Sequence, residues 1–436
     1  LVEQRLRPDG VYTMNVIDYG PRSFLRAQLA TVGAVFDHVA VLGRPGSFDE
    51  TDRRVGGNYV VVASDAPLPV EGIRAANARR GRSDDLLVGA DFRVEICTSD
   101  SILTSDDVTA RLQGSCDAVI GQLTENWNAD LFGALHRAGG RAFSTYAVGT
   151  NNVDVDAATS FGIAVGNTPG VLTEATAELA VALTLSAARR IVEADRFTRE
   201  GRFEGWLPSL LLGKRLQGRT VGVVGCGRIG ASYARSMVEG FGMDLVYFDQ
   251  VRNEAIETYV AELGDLRERH GERRPTVRRV DAIEELIEAS DVVSLHTPLT
   301  PETRHLIDAR RLRLMKPDAI LVNCARGPVI DEDALVEHCR RHPDFRVGLD
   351  VFENEPDLKP GLTALDNVVL APHVGSATTW TREAMASLAA ANVIGALCGH
   401  PVWPGQDMTP FLDGDVPPYA PSLLNADHLD PRPVLT

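Results

Sequence analysis

Three side chains that could together reduce a 2-oxo acid stand at or just after predicted strand ends: Arg326, Glu355 and His373. An arginine fork can hold a carboxylate and polarise the neighbouring ketone, and a histidine paired with a glutamate can be kept protonated. That histidine can then protonate the alkoxide that forms. Each residue alone is more often structural or solvated, but the three together beside a nucleotide-binding turn favour a catalytic site.

The nucleotide-binding turn is the segment Gly225-Cys226-Gly227-Arg228-Ile229-Gly230, which ends a predicted strand and opens a predicted helix. In this setting Gly225 makes the tight bend, Gly227 lets the backbone approach a pyrophosphate, and Gly230 lets the helix pack on the strand. The first helical N–H groups, from Arg228 and Ile229 onward, would bind the phosphates. A glycine-rich turn with a purely structural role is the alternative.

The choice of cofactor depends on Asp249, which closes the next predicted strand. A carboxylate there can accept both ribose hydroxyls of NAD but would repel the 2'-phosphate of NADP. Gln250 and Val251 add no cation, whereas Arg252 is near enough to keep NADP as an alternative. The sequence therefore predicts NAD(H).

Short β-branched runs alternate with helical patterns from residue 91 onward, which is typical of parallel sheets covered by helices. One helical pattern, with Thr173 as the expected N-cap, runs through Phe197 and separates two series of strands. A last helix is predicted over 378–397. The predicted strands are 93–97, 117–123, 141–148 and 163–167 in the first series, and 219–225, 244–249, 291–297, 319–324, 345–351 and 367–370 in the second.

This order predicts an α/β protein of two doubly wound domains, with a Rossmann cofactor domain inserted in a flavodoxin-like substrate domain. The cofactor domain would span residues 171–371, and the substrate domain would comprise residues 1–170 and 372–436. Residues 35–88 show little sustained periodicity and include an arginine-rich stretch at 74–82. We therefore expect a mobile surface insertion there.

Composition disfavours several classes of partner. The formal net charge of -16 argues against nucleic acid and anionic membranes, so a small-molecule partner is expected. No apolar run reaches the length of a transmembrane helix. The cysteines are scattered without a C-x-x-C pair, which predicts a reducing intracellular compartment and no metal site.

Four motifs, in order around the glycine turn, resemble the D-isomer-specific 2-hydroxyacid dehydrogenases: Thr168-Pro169-Gly170, Asn323-Cys324-Ala325-Arg326-Gly327, Asp350-Val351-Phe352 with Glu355-Pro356, and Pro372-His373. The resemblance runs from about residue 91 to beyond residue 400. It implies that Arg326, Glu355 and His373 are catalytic and that the backbone near Val148-Gly149 grips the substrate carboxylate. It also implies that Thr297 and Pro298 line the adenine pocket. The further residues implied to contact the cofactor are Cys324, Ala325, Asp350 and Thr176.

Longer stretches resemble one branch of the family, the plant-type NADH-dependent hydroxypyruvate reductases. They cover residues 121–125, 203–208, 253–279 and 417–425. This likeness implies that Leu123, Thr124 and Trp206 shape the substrate pocket, with Trp206 reaching across a homodimer interface; an ordinary packing tryptophan is the alternative. An organelle matrix, mitochondrial or peroxisomal, is the expected location, and the cytoplasm is the alternative.

The expected activity is NADH-dependent reduction of hydroxypyruvate to D-glycerate, together with reduction of glyoxylate to glycolate. A sister enzyme acting on phosphoglycerate or formate is an alternative, but Gln122-Leu123-Thr124 contains no basic residue that could hold a phosphate. The other alternative is a non-enzymatic, NADH-sensing corepressor-like protein, because fold alone does not determine function.

Overall fold

The computed structural model describes residues 12–18, 38–43, 57–63, 85–90, 102–112, 114, 116–412 and 417–429. The chain forms two compact units: Leu1–Val171 together with Thr378–Thr436, and Leu172–Ala377. The second unit is one continuous segment, and it is inserted in the sequence of the first. The α/β class with parallel sheets is confirmed in both units.

The first unit contains a four-stranded antiparallel sheet that the sequence analysis did not predict. Its strands are β1 (Tyr12–Asp18), β2 (His38–Gly43), β3 (Gly57–Ala63) and β4 (Asp85–Ala90), in the order β1-β3-β2-β4. The predicted insertion, residues 35–88, contains β2, β3 and most of β4, so its lack of sustained periodicity did not exclude strands. Their short valine-rich runs favour strands, but glycine and proline between the runs obscure the pattern. The remainder of 35–88 and the predicted strand 93–97 lie outside the described residues.

The first unit also contains a parallel sheet of β5 (Ala118–Gly121), β6 (Ala142–Thr145) and β7 (Ala164–Gly166) in that order. The helices α1 (Ser105–Arg111), α2 (Ala129–Arg137) and α3 (Val155–Ser160) belong to the same unit, and the Thr379–Leu397 helix packs on the sheet. Fully buried Trp127, Phe132 and Phe143 meet with ring centroids 4.5–5.4 Å apart. These rings belong to one hydrophobic core cluster of this unit.

The second unit is a seven-stranded parallel sheet in the order β10-β9-β8-β11-β12-β13-β14. Its strands are β8 (Thr220–Val224), β9 (Asp244–Phe248), β10 (Val277–Arg279), β11 (Val292–Leu295), β12 (Ile320–Asn323), β13 (Arg346–Leu349) and β14 (Val368–Leu370). Strand order reverses between β8 and β11, and ligands of such sheets bind at the carboxyl ends of the strands at that point. Strand β10 was not predicted.

Helices cover both faces of this sheet: α4 (Thr173–Arg189), α5 (Ile191–Arg199), α6 (Arg228–Phe241), α7 (Glu254–Arg269), α8 (Ile283–Ala289), α9 (Ala309–Leu314) and α10 (Glu332–Arg341). Successive strand residues point to opposite faces, so Val223 packs with α4 and α6 whereas Val224 packs with α8 and α10. Burial on both faces explains why these strands are continuous apolar runs rather than alternating ones.

The single helix predicted from residue 173 through 197 is two helices, α4 and α5. Arg190 lies between them in the left-handed conformation, with φ 54°, and its guanidinium binds Glu193 through two nitrogens at 2.8 and 2.5 Å. The N–H of Lys214 binds the carbonyl of Ala188 near the end of α4. Thr173 is the first residue of α4 rather than its N-cap, and no side chain caps that end.

Candidate active site

The glycine turn has the shape that a dinucleotide pyrophosphate requires. Gly225 has φ +85°, and a Cβ there would lie 2.8 Å from the main chain of His296. At Gly230 a Cβ would lie 2.0 Å from the carbonyl oxygen of Gly225, so only glycine permits this packing. At Gly227 no atom lies within 4 Å of the Cβ position, and no side chain caps the N-terminus of α6. This open space and the uncapped N–H groups fit a bound phosphate.

Asp249 is fixed beside this turn. Its Oδ2 accepts the N–H of Cys226 at 2.7 Å, and its Oδ1 accepts the N–H of Val251 at 3.0 Å. Arg252, which left NADP as an alternative, binds Glu257 through Nε and Nη2 at 2.9 and 2.6 Å. The cation nearest in sequence to Asp249 is therefore already paired, which favours NAD.

The other residues that the resemblance assigned to the cofactor lie mostly at strand ends on the same edge of the sheet. Thr176, on α4, is 3.4 Å from the Cβ position of Gly375, which itself contacts Asp350. Burial, then the charge of Asp350, raises the pKa of the Cys324 thiol, so this cysteine stays protonated and is not a nucleophile. The strand-end residues are Thr297 and Pro298 after β11, Cys324 and Ala325 after β12, and Asp350 after β13.

Arg326 is held by a turn that begins at the last residue of β12. The fully buried Asn323 accepts the N–H of Ala325 at 3.0 Å and donates to the carbonyl of Arg326 at 2.9 Å. Burial lowers the pKa of the Arg326 guanidinium, and the nearby Glu355 carboxylate opposes this shift. An arginine remains protonated at neutral pH even so. The sequence analysis missed Asn323 as a positioning residue, although it stands inside the motif.

Glu355 and His373 form the expected pair, with Oε2 2.7 Å from Nδ1. The other carboxylate oxygen of Glu355 accepts the N–H of Phe352 at 2.8 Å. Burial acts to raise the pKa of Glu355, but the hydrogen bond and charge of His373, the Phe352 N–H and Arg326 outweigh it, and the pKa is lowered. Glu355 is therefore ionised at neutral pH, and its carboxylate can accept a hydrogen bond from Nδ1 of His373.

Asp350 fixes the loop that carries His373. Its two carboxylate oxygens accept the N–H groups of Val374 and Gly375 at 2.7 and 2.8 Å, and its carbonyl accepts the N–H of His373 at 2.8 Å. His373 has φ 55°, an uncommon conformation for a residue with a side chain. Burial raises the pKa of Asp350 although these hydrogen bonds oppose the shift.

Four of the residues assigned to the substrate lie in the first unit. Leu123 and Thr124 occupy a turn after β5 that Asn152 holds by donating to the carbonyls of Gln122 and Glu125 at 2.9 and 2.8 Å. Val148 and Gly149 follow β6, and among the described residues no acceptor is found for the N–H of either. Successive free N–H groups form a concavity suited to an anion.

Trp206 belongs to the second unit and is 82% exposed, which does not fit an ordinary packing role. Phe203, Leu207 and Leu212 in the same segment are also exposed.

The sequence analysis also missed a buried acid beside the loop that carries Glu355. Glu332, in the first turn of α10, accepts the N–H of Glu353 at 2.9 Å, and its other oxygen has no partner in the described structure. Burial, together with the charge of Glu353, raises the pKa of Glu332 to about 7. No sequence pattern marks this buried acid, because an acid in a first helical turn usually faces solvent.

Two kinds of feature were not found in the described part of the chain. No helix there is long and apolar enough to cross a membrane. No group of three or more histidine, cysteine or acidic side chains there could hold a metal ion.

Comparisons with known proteins agree with the nucleotide-binding geometry described above. The model of the D-isomer specific 2-hydroxyacid dehydrogenase NAD-binding domain matches residues 181–375. Glycerate dehydrogenase from Cucumis sativus is 54% identical over 377 residues, which cover 86% of this chain and 96% of that protein. The peroxisomal glycerate dehydrogenase HPR from Arabidopsis thaliana is 52% identical, over 86% of this chain and 95% of that protein.

A solved structure supports the fold. It is described as a D-isomer specific 2-hydroxyacid dehydrogenase from Polaromonas, and it is 34% identical with a TM-score of 0.61. The match covers 74% of this chain and 92% of that one. The two-domain α/β architecture is therefore shared with proteins of this description.

Replacing Glu332 with Gln should change the pH dependence of stability. Between pH 4.5 and about 7 the unfolded chain has released the Glu332 proton while the folded chain keeps it, so this residue makes the parent less stable as pH rises. Glutamine does not titrate and can still accept the Glu353 N–H. We expect the melting temperature of the variant, relative to the parent, to be higher at pH 8 than at pH 5.

The control is Glu337→Gln on the same helix, where the side chain is exposed and pairs with Arg341. A Glu332→Gln difference that is equal at both pH values would contradict the buried, protonated state.

Proposed function

We propose that this chain, which belongs to the D-isomer-specific 2-hydroxyacid dehydrogenase family, reduces hydroxypyruvate to D-glycerate with NADH. The observation that carries the proposal is the His373–Glu355 pair, 2.7 Å apart, with Arg326 on the neighbouring strand end. A proton donor and a carboxylate-binding cation are what reduction of a 2-oxo acid requires.

In the proposed reaction Arg326 binds the substrate carboxylate and polarises the ketone. The glycine turn and Asp249 would hold NADH, which would supply the hydride for the keto carbon. His373, bonded to Glu355 through Nδ1, gives the proton on its other ring nitrogen to the alkoxide oxygen, and D-glycerate results. Thr124 and Leu123, and the N–H groups of Val148 and Gly149, are proposed to contact the substrate.

Hydroxypyruvate is the preferred candidate because both plant relatives described above are glycerate dehydrogenases and are more than half identical to this chain. Glyoxylate is the same 2-oxo acid without the hydroxymethyl group, so it should also react, with weaker binding. The match to these enzymes over nearly their whole length favours an enzyme over a corepressor-like protein. The description of the second relative also supports a peroxisomal location, which fluorescence colocalisation of the tagged chain would test.

The cofactor preference can be tested at Asp249. NADH should be used more efficiently than NADPH, because the Asp249 carboxylate would lie against the 2'-phosphate. Asp249→Ser should reduce the ratio of the two kcat/KM values by roughly tenfold, the equivalent of ~1.4 kcal/mol. Asp366→Ser, an exposed carboxylate in the same unit, is the control and should leave the ratio unchanged. Equal efficiency with both cofactors in the parent would rule out the role given to Asp249.

The catalytic roles can be tested at His373 and Glu355. His373→Ala should lower kcat by about 10²- to 10⁴-fold with little change in NADH binding, because the proton donor is lost and the glycine turn is untouched. Glu355→Gln should lower kcat with little change in NADH binding, because the imidazole loses the carboxylate that bonds and orients its Nδ1. Arg326→Lys should impair both KM and kcat, because the planar fork is lost. Near-parental turnover by His373→Ala would refute the assignment.

We also infer a homodimer that uses the segment containing Trp206. Its apolar side chains are unusually exposed for a water-facing loop: Phe203 at 60%, Trp206 at 82%, Leu207 at 61% and Leu212 at 65%. Contiguous exposed apolar residues of this kind mark interaction surfaces.

The dimer can be tested by light scattering after size exclusion. The parent should have twice the chain mass, and the double variant Trp206→Ser with Leu207→Ser should shift toward the mass of one chain. The control is Trp380→Ser, which removes a tryptophan of the other unit that is 60% exposed. This variant should leave the mass unchanged. A parent that is monomeric at micromolar concentration would exclude this interface.

A further inference from the structure

The segment 417–429 is bonded into the first unit next to the residues that follow β6. Leu424 donates its N–H to the carbonyl of Val165 in β7 at 2.8 Å, and Leu423 forms an antiparallel bridge with Gly166. The buried Asn425 accepts the N–H of Val165 at 2.9 Å. This part of the chain therefore extends the edge of the parallel sheet.

A closed set of hydrogen bonds links this segment to Asn167. Ser422 donates its hydroxyl to Oδ1 of Asn167 at 2.6 Å and its N–H to Oδ1 of Asn392 at 2.7 Å. Asn392 completes the set by donating Nδ2 to the carbonyl of Asn167 at 2.7 Å. Asn392 is fully buried. Its side chain fits beside residue 166 because that residue is a glycine: a Cβ there would lie only 2.6 Å from the Asn392 side chain.

Asn167 passes this constraint to the loop after β6. Its Nδ2 donates to the carbonyl of Val148 at 2.9 Å, so its Oδ1 must be the atom that accepts from Ser422. Thr168 holds the same loop through its N–H, which binds the carbonyl of Ala147 at 2.9 Å. With these carbonyls fixed, the N–H groups of Val148 and Gly149 keep a defined direction, and no acceptor is found for them among the described residues.

We propose that Ser422, Asn392 and Asn167 are positioning residues that fix the Val148–Gly149 N–H groups for the substrate carboxylate. The inference rests on the proposed function for the site but not on hydroxypyruvate being the substrate. The segment 417–429 is then part of the substrate-binding apparatus rather than a passive tail. Its effect falls on binding of the carboxylate and not on the proton transfer, which His373 performs.

The experiment compares Ser422→Ala, Ser422→Thr and Ser160→Ala with the full-length parent. Ser160 is the matched control, because the one partner found for its hydroxyl among the described residues is the carbonyl of Ala157 within α3. The first measurement is the dissociation constant of oxamate, a non-reducible 2-oxo carboxylate, for the NADH-saturated enzyme. Loss of one hydrogen bond in Ser422→Ala should weaken oxamate binding by roughly fivefold. Ser422→Thr, which keeps the hydroxyl, should restore most of it.

The second measurement is steady-state reduction of hydroxypyruvate. Ser422→Ala should raise its KM by a similar factor while kcat and the KM for NADH stay within about twofold. Ser160→Ala should match the parent in both assays. Unchanged oxamate affinity in Ser422→Ala, an equal loss in Ser160→Ala, or no oxamate binding by the parent would overturn the proposal. A parent that binds oxamate in a Ser422-dependent manner but does not reduce hydroxypyruvate would overturn the proposed function alone.

Discussion

Asp350 accepts hydrogen bonds from three backbone N–H groups, and the arrangement of the proposed catalytic residues depends on these bonds. The carboxylate holds Val374 and Gly375, and the carbonyl holds His373, which has an unfavourable positive φ. A conformation of that kind costs of order 1–3 kcal/mol and persists only when its surroundings determine it. The bonds to Asp350 supply that determination, so the imidazole is placed before substrate binds. A catalytic group held in this way loses less entropy when the reaction occurs.

The strand order of the parallel sheet brings the three side chains proposed to be catalytic to one edge of the second unit. Strands β12, β13 and β14 are neighbours, and their ends are level, since Asn323 pairs with Leu349 and Leu349 pairs with Leu370. Neighbouring strands lie about 4.8 Å apart. Loops that leave three adjacent strands at the same edge therefore carry Arg326, Glu355 and His373 within a few ångströms of one another. Gly327 permits close packing there, because a Cβ would overlap the main chain of Phe352.

Sequence patterns predicted this sheet and the loops well because each depends on local signals. Buried strands are continuous apolar runs, and the glycine turn has a fixed spacing. The left-handed break at Arg190 could not be predicted, because it depends on tertiary contacts rather than on a glycine or proline. The antiparallel sheet of the first unit was missed because the glycines and prolines between its short apolar runs obscure the strand pattern.

The positioning residues were the hardest part of the site to predict. Asn323, Asn167 and Glu332 act through bonds to backbone atoms, and such bonds leave no spacing pattern in the sequence. Any buried asparagine must satisfy its donors and acceptors, so its position reveals the role only after its neighbours are known. Catalytic residues are easier to predict, because their chemistry limits the residue type and the strand ends limit the positions at which they can stand.

The net charge of -16 does not prevent the chain from binding an anion, because acidic side chains that are distant from the anion act on it only weakly. At physiological ionic strength charges more than about 8 Å apart are largely screened, so remote surface acids repel a bound anion only weakly. The donors proposed to bind anions are local to each unit: the half-buried Arg326 and the uncapped start of α6 in the second unit, and in the first unit the N–H groups of Val148 and Gly149, for which the described residues offer no acceptor. Two of these three are backbone groups, which carry no formal charge and do not titrate. A site built mainly from them binds a carboxylate or a phosphate with little dependence on the charge of the protein as a whole, and its precision is set by the side chains that hold the backbone in place.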